Sequence, residues 1–270
     1  MSPLPITGTT RFIAMLGDPV VQVKSPMAFA DWAGRTGTDA VMLPVQVPPR
    51  TLATTLEAMR GWGNCLGAVI TFPHKQAAAG LVDSQSEAAD LVGACNVIRR
   101  SADGHLHGAM TDGAGFVAAL RAGGHDLTGI DARLIGAGGA GSAIALALIE
   151  AGIRRLVVTD IDAGRRDNLI DRLNAGHKAA ISAEAPDGFD CRLACNATPV
   201  GMNGDPAHPF PLEQLSQGCV IADIVPSPAE TPWILAARAR GHAVQTGPAM
   251  ISGQMPAIIS LLLPDKRIES

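Results

Sequence analysis

Apolar and polar positions along this chain fall into two alternating patterns. Short, nearly continuous apolar runs at Phe12 to Leu16, Ala40 to Val47 and Gly67 to Phe72 have the length and β-branched content of buried strands. Between them, "SPMAFADWAGRTG" and "RTLATTLEAMRGW" carry apolar residues at helical spacing. Strand and helix patterns that take turns predict parallel sheets covered by helices, an α/β fold. Two further short strands, Asn96 to Arg99 and His105 to Ala109, predict a hairpin about Ala102-Asp103-Gly104 that closes a first domain.

After Asp112 a helix, "GAGFVAALRAGG", is predicted to stop at Gly123-Gly124. A second alternating series follows: "ARLIGAGGAGSAIALALIEAG", "RRLVVTD", a polar helix, "CRLACNATP" and "VIADIV". This is the order of a doubly wound nucleotide-binding fold. The expected boundaries are 1–112 for the first domain, 113–246 for the second, and 247–270 for a closing segment whose helix packs back on the first.

Length agrees with two domains, since single cores tend to split near 270 residues. Hydrophobic residues at 47% against 17% charged mark a compact chain and exclude a disordered one. A net charge of −4 provides no basic stripe, so no nucleic-acid partner is expected. The apolar run Ile251 to Leu263 is broken by Gly253, Gln254 and Pro256 and falls short of the roughly 20 residues of a membrane helix. The first residues lack the basic head and unbroken apolar stretch of a signal peptide, so the expected setting is cytoplasmic, with no membrane partner.

Five cysteines, Cys65, Cys95, Cys191, Cys195 and Cys219, form no CxxC pair and read as small buried hydrophobes. The histidines show no HExxH or Cys/His ligand spacing, and His105-x-His107 reads as a solvated hairpin. No metal is expected. The sequence leaves monomer and homodimer both open.

Candidate chemistry begins with "LIGAGGAGSAIALAL", which places Gly136, Gly138 and Gly141 in G-x-G-x-x-G spacing between a predicted strand and helix. Gly136 suits the tight turn, Gly138 the approach of backbone to a pyrophosphate, and Gly141 close packing of helix on strand. With Gly139 and Ala140, this loop leads unpaired N–H groups toward phosphates. Asp160 ends the next strand, 24 residues after Gly136. A carboxylate there accepts hydrogen bonds from ribose hydroxyls and repels a 2′-phosphate, which favours NAD over NADP as cofactor. Arg165 and Arg166 lie close by, and on a helix they are expected to face solvent.

Other polar groups cluster at predicted strand ends, where open α/β sheets place ligands. They are Thr71 and Lys75 in "ITFPHK", Asn96 in "GACNV" and Asp112 in "GAMTDGAGF". Lys75 and Asp112 suit oxidation of an alcohol, as a group that takes the hydroxyl proton and an anion that orients it. A surface ion pair is the plainer reading of these two residues alone.

The order of motifs changes that weighting. The succession "KSP", "TFPHK", "GACNV", "TDGAGF", "GAGGAGSAI", "NATPVGM", "DIVPSPAETP" and "GPAMISGQ" resembles the shikimate dehydrogenase family over essentially the whole chain. The resemblance implies an N-terminal α/β substrate-binding domain and a C-terminal Rossmann-type domain that binds NAD, with substrate in the cleft between them. It implies reversible oxidation of a ring hydroxyl on shikimate, quinate or a related cyclic polyol carboxylate. Lys75 and Asp112 then match catalytic positions, and Ser25, Thr71, Asn96 and Gln254 match substrate-binding ones. Thr198 and Gly247 match positions that line the dinucleotide.

Departures gather at the carboxylate end. Where the family usually has Ser-x-Ser-Pro, this chain has Val23-Lys24-Ser25-Pro26, and the place of a frequent tyrosine is Pro226. Gln22 stands for a frequent histidine and Met110 for a common asparagine. Each charge-assisted hydrogen bond lost is typically worth about 1.5 to 3 kcal/mol, so affinity for shikimate itself is expected to fall. A second reading follows, a dinucleotide-binding sensor that kept the fold and lost efficient catalysis. The retained Lys75, Asp112, Asn96 and Gln254 weigh against it, since a sensor needs no proton-transfer pair.

Overall fold

The computed structural model describes residues 6–21, 23–176 and 179–264. The chain divides into two compact units, one built from the residues up to Thr111 with those from Met255 on, the other from Asp112–Gln254.

The first unit runs β1 (Arg11–Gly17), α1 (Ser25–Thr36), β2 (Ala40–Gln46), α2 (Leu52–Arg60), β3 (Cys65–Ile70), α3 (Lys75–Ala79), β4 (Ser84–Gln85), α4 (Glu87–Val92), β5 (Val97–Arg100) and β6 (Leu106–Ala109). Its sheet has the order β2-β1-β3-β5-β6-β4. Strands β1, β2 and β3 are parallel, as their crossover helices require, while β5 runs antiparallel to both β3 and β6. The short turn about Asp103 allows only that direction, so this sheet is mixed. From β1 the chain goes first to β2 on one side and then to β3 on the other. The carboxyl ends of β1 and β3 therefore flank a topological switch point, where such sheets open a crevice.

The second unit runs α5 (Asp112–Ala122), β7 (Asp131–Ile135), α6 (Gly139–Glu150), β8 (Arg155–Thr159), α7 (Ala163–Gly176), β9 (Ala180–Ser182), β10 (Cys191–Asn196), β11 (Val220–Asp223), α8 (Pro232–Ala239), β12 (Val244–Gln245) and the start of α9 (Gly247–Leu262). Its sheet is parallel throughout, in the order β12-β11-β10-β7-β8-β9. This is the doubly wound arrangement expected from the sequence, with its switch point between β7 and β10. Helix α8 starts at a capping signal, Thr231-Pro232, whose threonine hydroxyl accepts from the Ile234 N–H at 3.3 Å.

The later part of α9 belongs to the first unit, as the sequence predicted for the closing helix. Met255, Ile258, Ile259 and Leu262 are buried there with Ile13, Phe29, Trp32, Met42 and Val97. All five cysteines are buried.

Candidate active site

In the first unit, two loops at the switch point are tied together by backbone. Thr71 N–H donates to Leu16 O at 2.9 Å, and Asp18 N–H donates to Phe72 O at 3.1 Å. Side chains larger than hydrogen do not fit at the join, since a Cβ on Gly17 would lie 2.4 Å from Thr71 Cγ2. Lys75 opens α3, and its carbonyl accepts from the Cys95 N–H at 3.0 Å. The preceding His74 is buried, with Nε2 2.7 Å from Val47 O. Burial pushes the Cys95 thiol up to about 12 against the opposing charge of Lys75, so it stays neutral at physiological pH.

Asn96 is held by a residue that the sequence reading did not single out. Its Oδ1 accepts from Thr111 N–H at 2.8 Å and from Thr111 Oγ1 at 3.2 Å, and its Nδ2 donates to Thr111 Oγ1 at 3.0 Å. The signal was the predicted hairpin. Pairing Val97 with Ala109 brings the residue before β5 against those just after β6.

The opening hook has Lys24 at the N-cap of α1 and Ser25 as its first helical residue, with no side chain capping the helix. Val23 packs its side chain against the core of the first unit and supplies no hydroxyl. Met110 is buried at 7% exposure. Gln22 lies outside the described residues.

In the second unit, Asp112 heads α5 with 2% exposure, and Gln254 Nε2 donates to its Oδ1 at 3.0 Å. The "DGAG" that follows decides how closely the neighbouring helices approach. A Cβ on Gly113 would fall 2.1 Å from Ala143 O in α6, and one on Gly115 would fall 2.2 Å from Gln254 Cγ in α9. Backbone therefore meets backbone on both sides of α5. Asp112 is thus set one turn from the start of α6 and against Gln254.

The glycine loop has the shape its spacing predicts. Gly136 adopts φ 104°, and a Cβ there would come within 2.7 Å of Ala197 O. A Cβ on Gly141 would lie 2.0 Å from Gly136 O, whereas Gly138 faces open space. Gly138 is the N-cap of α6 and brings no side chain to the first N–H groups, which continue through Gly139 and Ala140. A glycine cradle leading to an uncapped helix of this length fits a dinucleotide pyrophosphate.

Asp160 follows β8 and reaches back to this loop. Its Oδ2 accepts from the Ala137 N–H at 2.7 Å, and its Oδ1 from the Asp162 N–H at 2.8 Å. Thr198 is fixed by a buried chain of hydrogen bonds, its Oγ1 donating to Asn196 Oδ1 at 2.6 Å. Asn196 Nδ2 in turn donates to Asp223 Oδ1 at 3.0 Å, and Asp223 Oδ2 accepts from Thr231 Oγ1 at 2.7 Å. Burial raises the Asp223 carboxyl above its ordinary range, outweighing the bonds that favour its ionised form. Gly247 packs where a Cβ would lie 2.1 Å from Val225 O. Asn196 and Asp223 thus organise the loops after β10 and β11, although the sequence reading chose only Thr198 and Gly247. Pro226 is exposed in the loop after β11.

Among the described residues no group of three or more His, Cys, Asp or Glu could hold a metal ion, and no helix is long and apolar enough to cross a membrane. Residues 15–98 match the shikimate dehydrogenase substrate binding domain. A shikimate dehydrogenase (NADP(+)) of Rubrobacter xylanophilus is 37% identical over 258 residues, covering 93% of this chain and 90% of the relative. Among solved structures, shikimate 5-dehydrogenase from Listeria monocytogenes in complex with shikimate and NAD superposes with TM-score 0.86 at 26% identity, covering 97% and 94% of the two chains. A ligand-free 5-ketofructose reductase of Gluconobacter superposes with TM-score 0.85 at 28% identity, covering 94% and 93%.

Proposed function

The chain belongs to the shikimate dehydrogenase family, and on that premise we propose that it is an NAD(P)-dependent oxidoreductase. Its reaction is reversible hydride transfer between the dinucleotide and a ring hydroxyl of shikimate, quinate or a related cyclic polyol carboxylate. One observation carries this reading: the buried carboxylate of Asp112, oriented by Gln254, lies on a helix seated against α6 just beyond the glycine cradle. An oriented anion beside a dinucleotide site is what alcohol oxidation needs and a purely structural helix start does not.

Hydride acceptance and return are the chemistry a nicotinamide dinucleotide supplies when bound. The chain's own residues handle the proton and the fit. Lys75 Nζ takes the hydroxyl proton on oxidation and gives it back on reduction, and Asp112 orients that hydroxyl. Asn96 and Thr71 bind neighbouring hydroxyls. Ser25 and the uncapped start of α1 receive the carboxylate, with one side-chain hydroxyl fewer because Val23 is turned into the core. That missing hydroxyl and Pro226 favour a second reading of the substrate, a ring polyol with an uncharged group at this end. The 5-ketofructose reductase shows how far named activities range among similar folds.

Asp160 favours NAD, although the Rubrobacter relative is named for NADP(+). Five buried thiols suit a cytoplasmic setting. The test is to follow reduced-nicotinamide absorbance with NAD and NADP against quinate, shikimate and their carboxamides. Lys75→Ala should lower turnover by about 10²- to 10⁴-fold while calorimetric NAD binding stays nearly unchanged. Equal turnover in that variant would refute the catalytic assignment, and good turnover by the wild type would discard the sensor reading.

A further inference from the structure

Cofactor choice is commonly read from one acidic residue after the second strand of such a sheet. In this chain that carboxylate is not alone. Asp160 has 6% of its side chain exposed, and each of its oxygens already accepts a backbone N–H. Two residues on, Asp162 makes a second set of contacts. Its Oδ1 accepts from the Arg165 N–H at 3.0 Å, which caps the first turn of α7, and its Oδ2 lies 3.5 Å from Arg165 Nη2. The other end of the same guanidinium, Nη1, lies 3.8 Å from Asp160 Oδ2. Arg165 is therefore folded back between two carboxylates, although its side chain is 54% exposed. The neighbouring Arg166 is engaged too, with Nε 2.7 Å from Asp167 Oδ1.

We infer that Asp162 is a positioning residue that sets NAD against NADP by holding Arg165 away from a 2′-phosphate. The inference rests on the cofactor reading above and deepens it. A ribose whose hydroxyls bond to Asp160 brings its 2′ position into the field of Asp160, Asp162 and Arg165. A hydroxyl is accepted there. A phosphate meets three carboxylates and two guanidiniums that are already paired, and it must take Arg165 from Asp162 to gain a partner. Without Asp162, Arg165 stays beside Asp160 with a planar fork of donors suited to phosphate. Cofactor selection in this chain is then a competition between Asp162 and the phosphate for one guanidinium, superimposed on repulsion from Asp160.

Asp162→Asn separates the two roles of the residue, because asparagine caps a helix about as well as aspartate but carries no charge. Dissociation constants for NAD and NADP are measured by isothermal titration calorimetry on the full chain, without substrate. The wild type should bind NAD more tightly. In D162N the ratio of the two constants should move about tenfold toward NADP, and in the double variant D162N/R165A that gain should vanish. An unchanged ratio in D162N overturns the inference, as does a shift that persists without Arg165 or a wild-type preference for NADP. If the wild type binds neither dinucleotide, the cofactor reading itself fails, whereas NAD binding with an unmoved ratio refutes only the role of Asp162.

Discussion

The Thr111 hydroxyl both donates to Asn96 Oδ1 and accepts from its Nδ2 and so holds the amide in place, while the Thr111 N–H, which can only donate, fixes which way that amide faces. In the role proposed for Asn96, that orientation decides whether it offers a donor or an acceptor to a substrate hydroxyl. Thr111→Val keeps the shape and removes both hydroxyl bonds, each worth about 0.5 to 1.5 kcal/mol, while the backbone bond at 2.8 Å remains. We expect kcat/KM for a polyol substrate to fall about tenfold, with Thr111→Ser close to wild type. Steady-state kinetics on both variants decide it: a valine variant within twofold of wild type would mean that Asn96 is held by other contacts. At this scale the sequence singled out residues whose type suits the chemistry proposed for them, such as Lys75, Asp112 and Asp160. It was silent on Thr111, Asn196 and Asp223, because their importance lies in which partner they meet, and that depends on strand register. It placed Arg165 and Arg166 toward solvent; Arg165 is exposed, and on that surface both guanidiniums also pair with carboxylates.

Elements were legible where a pattern had room to repeat. β1, β2, β3 and the long helices followed from periodicity, with ends moved by a residue or two, as for β3, expected from Gly67 and found from Cys65. β4, with two residues, and β9, with three, are too short to show any period and lie at the edges of their sheets. The turn from β7 into α6 was legible for a steric reason that also gives a prediction. The first and last glycines of the motif touch, since a Cβ on Gly141 would lie 2.0 Å from Gly136 O. Gly141→Ala must push α6 away from β7 and open the cradle. NAD affinity and melting temperature should both drop, the affinity at least about tenfold, whereas Gly138→Ala, whose Cβ would enter the open space that a pyrophosphate is expected to approach, should weaken NAD with little change in melting temperature. Calorimetric titration with NAD and thermal melting of both variants check this, and wild-type NAD affinity in Gly141→Ala would show that the cradle tolerates movement of the helix.

At the scale of the whole molecule, a heavily bonded carboxylate lies at the opposite end of the second sheet from these loops. Asp131 begins β7 with its side chain fully buried. It accepts from Arg154 Nε at 2.9 Å and Nη2 at 3.0 Å, from Arg155 Nε at 2.9 Å and Nη2, and from the Asp190 N–H at 3.0 Å. These bonds tie the starts of β7 and β8 to the residue that leads into β10. Burial opposes ionisation of Asp131, but the hydrogen bonds from Arg155, Arg154 and the Asp190 N–H together outweigh it and hold the carboxyl well below the usual carboxylate range. A carboxyl whose folded pKa is depressed stabilises the fold above its unfolded value, near about 3.9, and loses that contribution as pH falls toward the folded value. The second unit should therefore weaken as pH drops below about 4. Asp131→Asn leaves two arginines facing a neutral amide, and removal of one partner from a buried ion pair typically costs about 3 to 5 kcal/mol. At pH 7 the variant should melt well below wild type, but between about pH 5 and 3 its melting temperature should fall less steeply, because the titrating group is gone. Because Asp131 lies at the amino end of its strand and the cofactor loops lie at the carboxyl ends, kcat/KM measured well below the melting temperature should stay near wild type. Parallel melting curves over that pH range would show that other carboxylates govern acid sensitivity, and a large loss of kcat/KM would show that the two ends of the sheet are coupled.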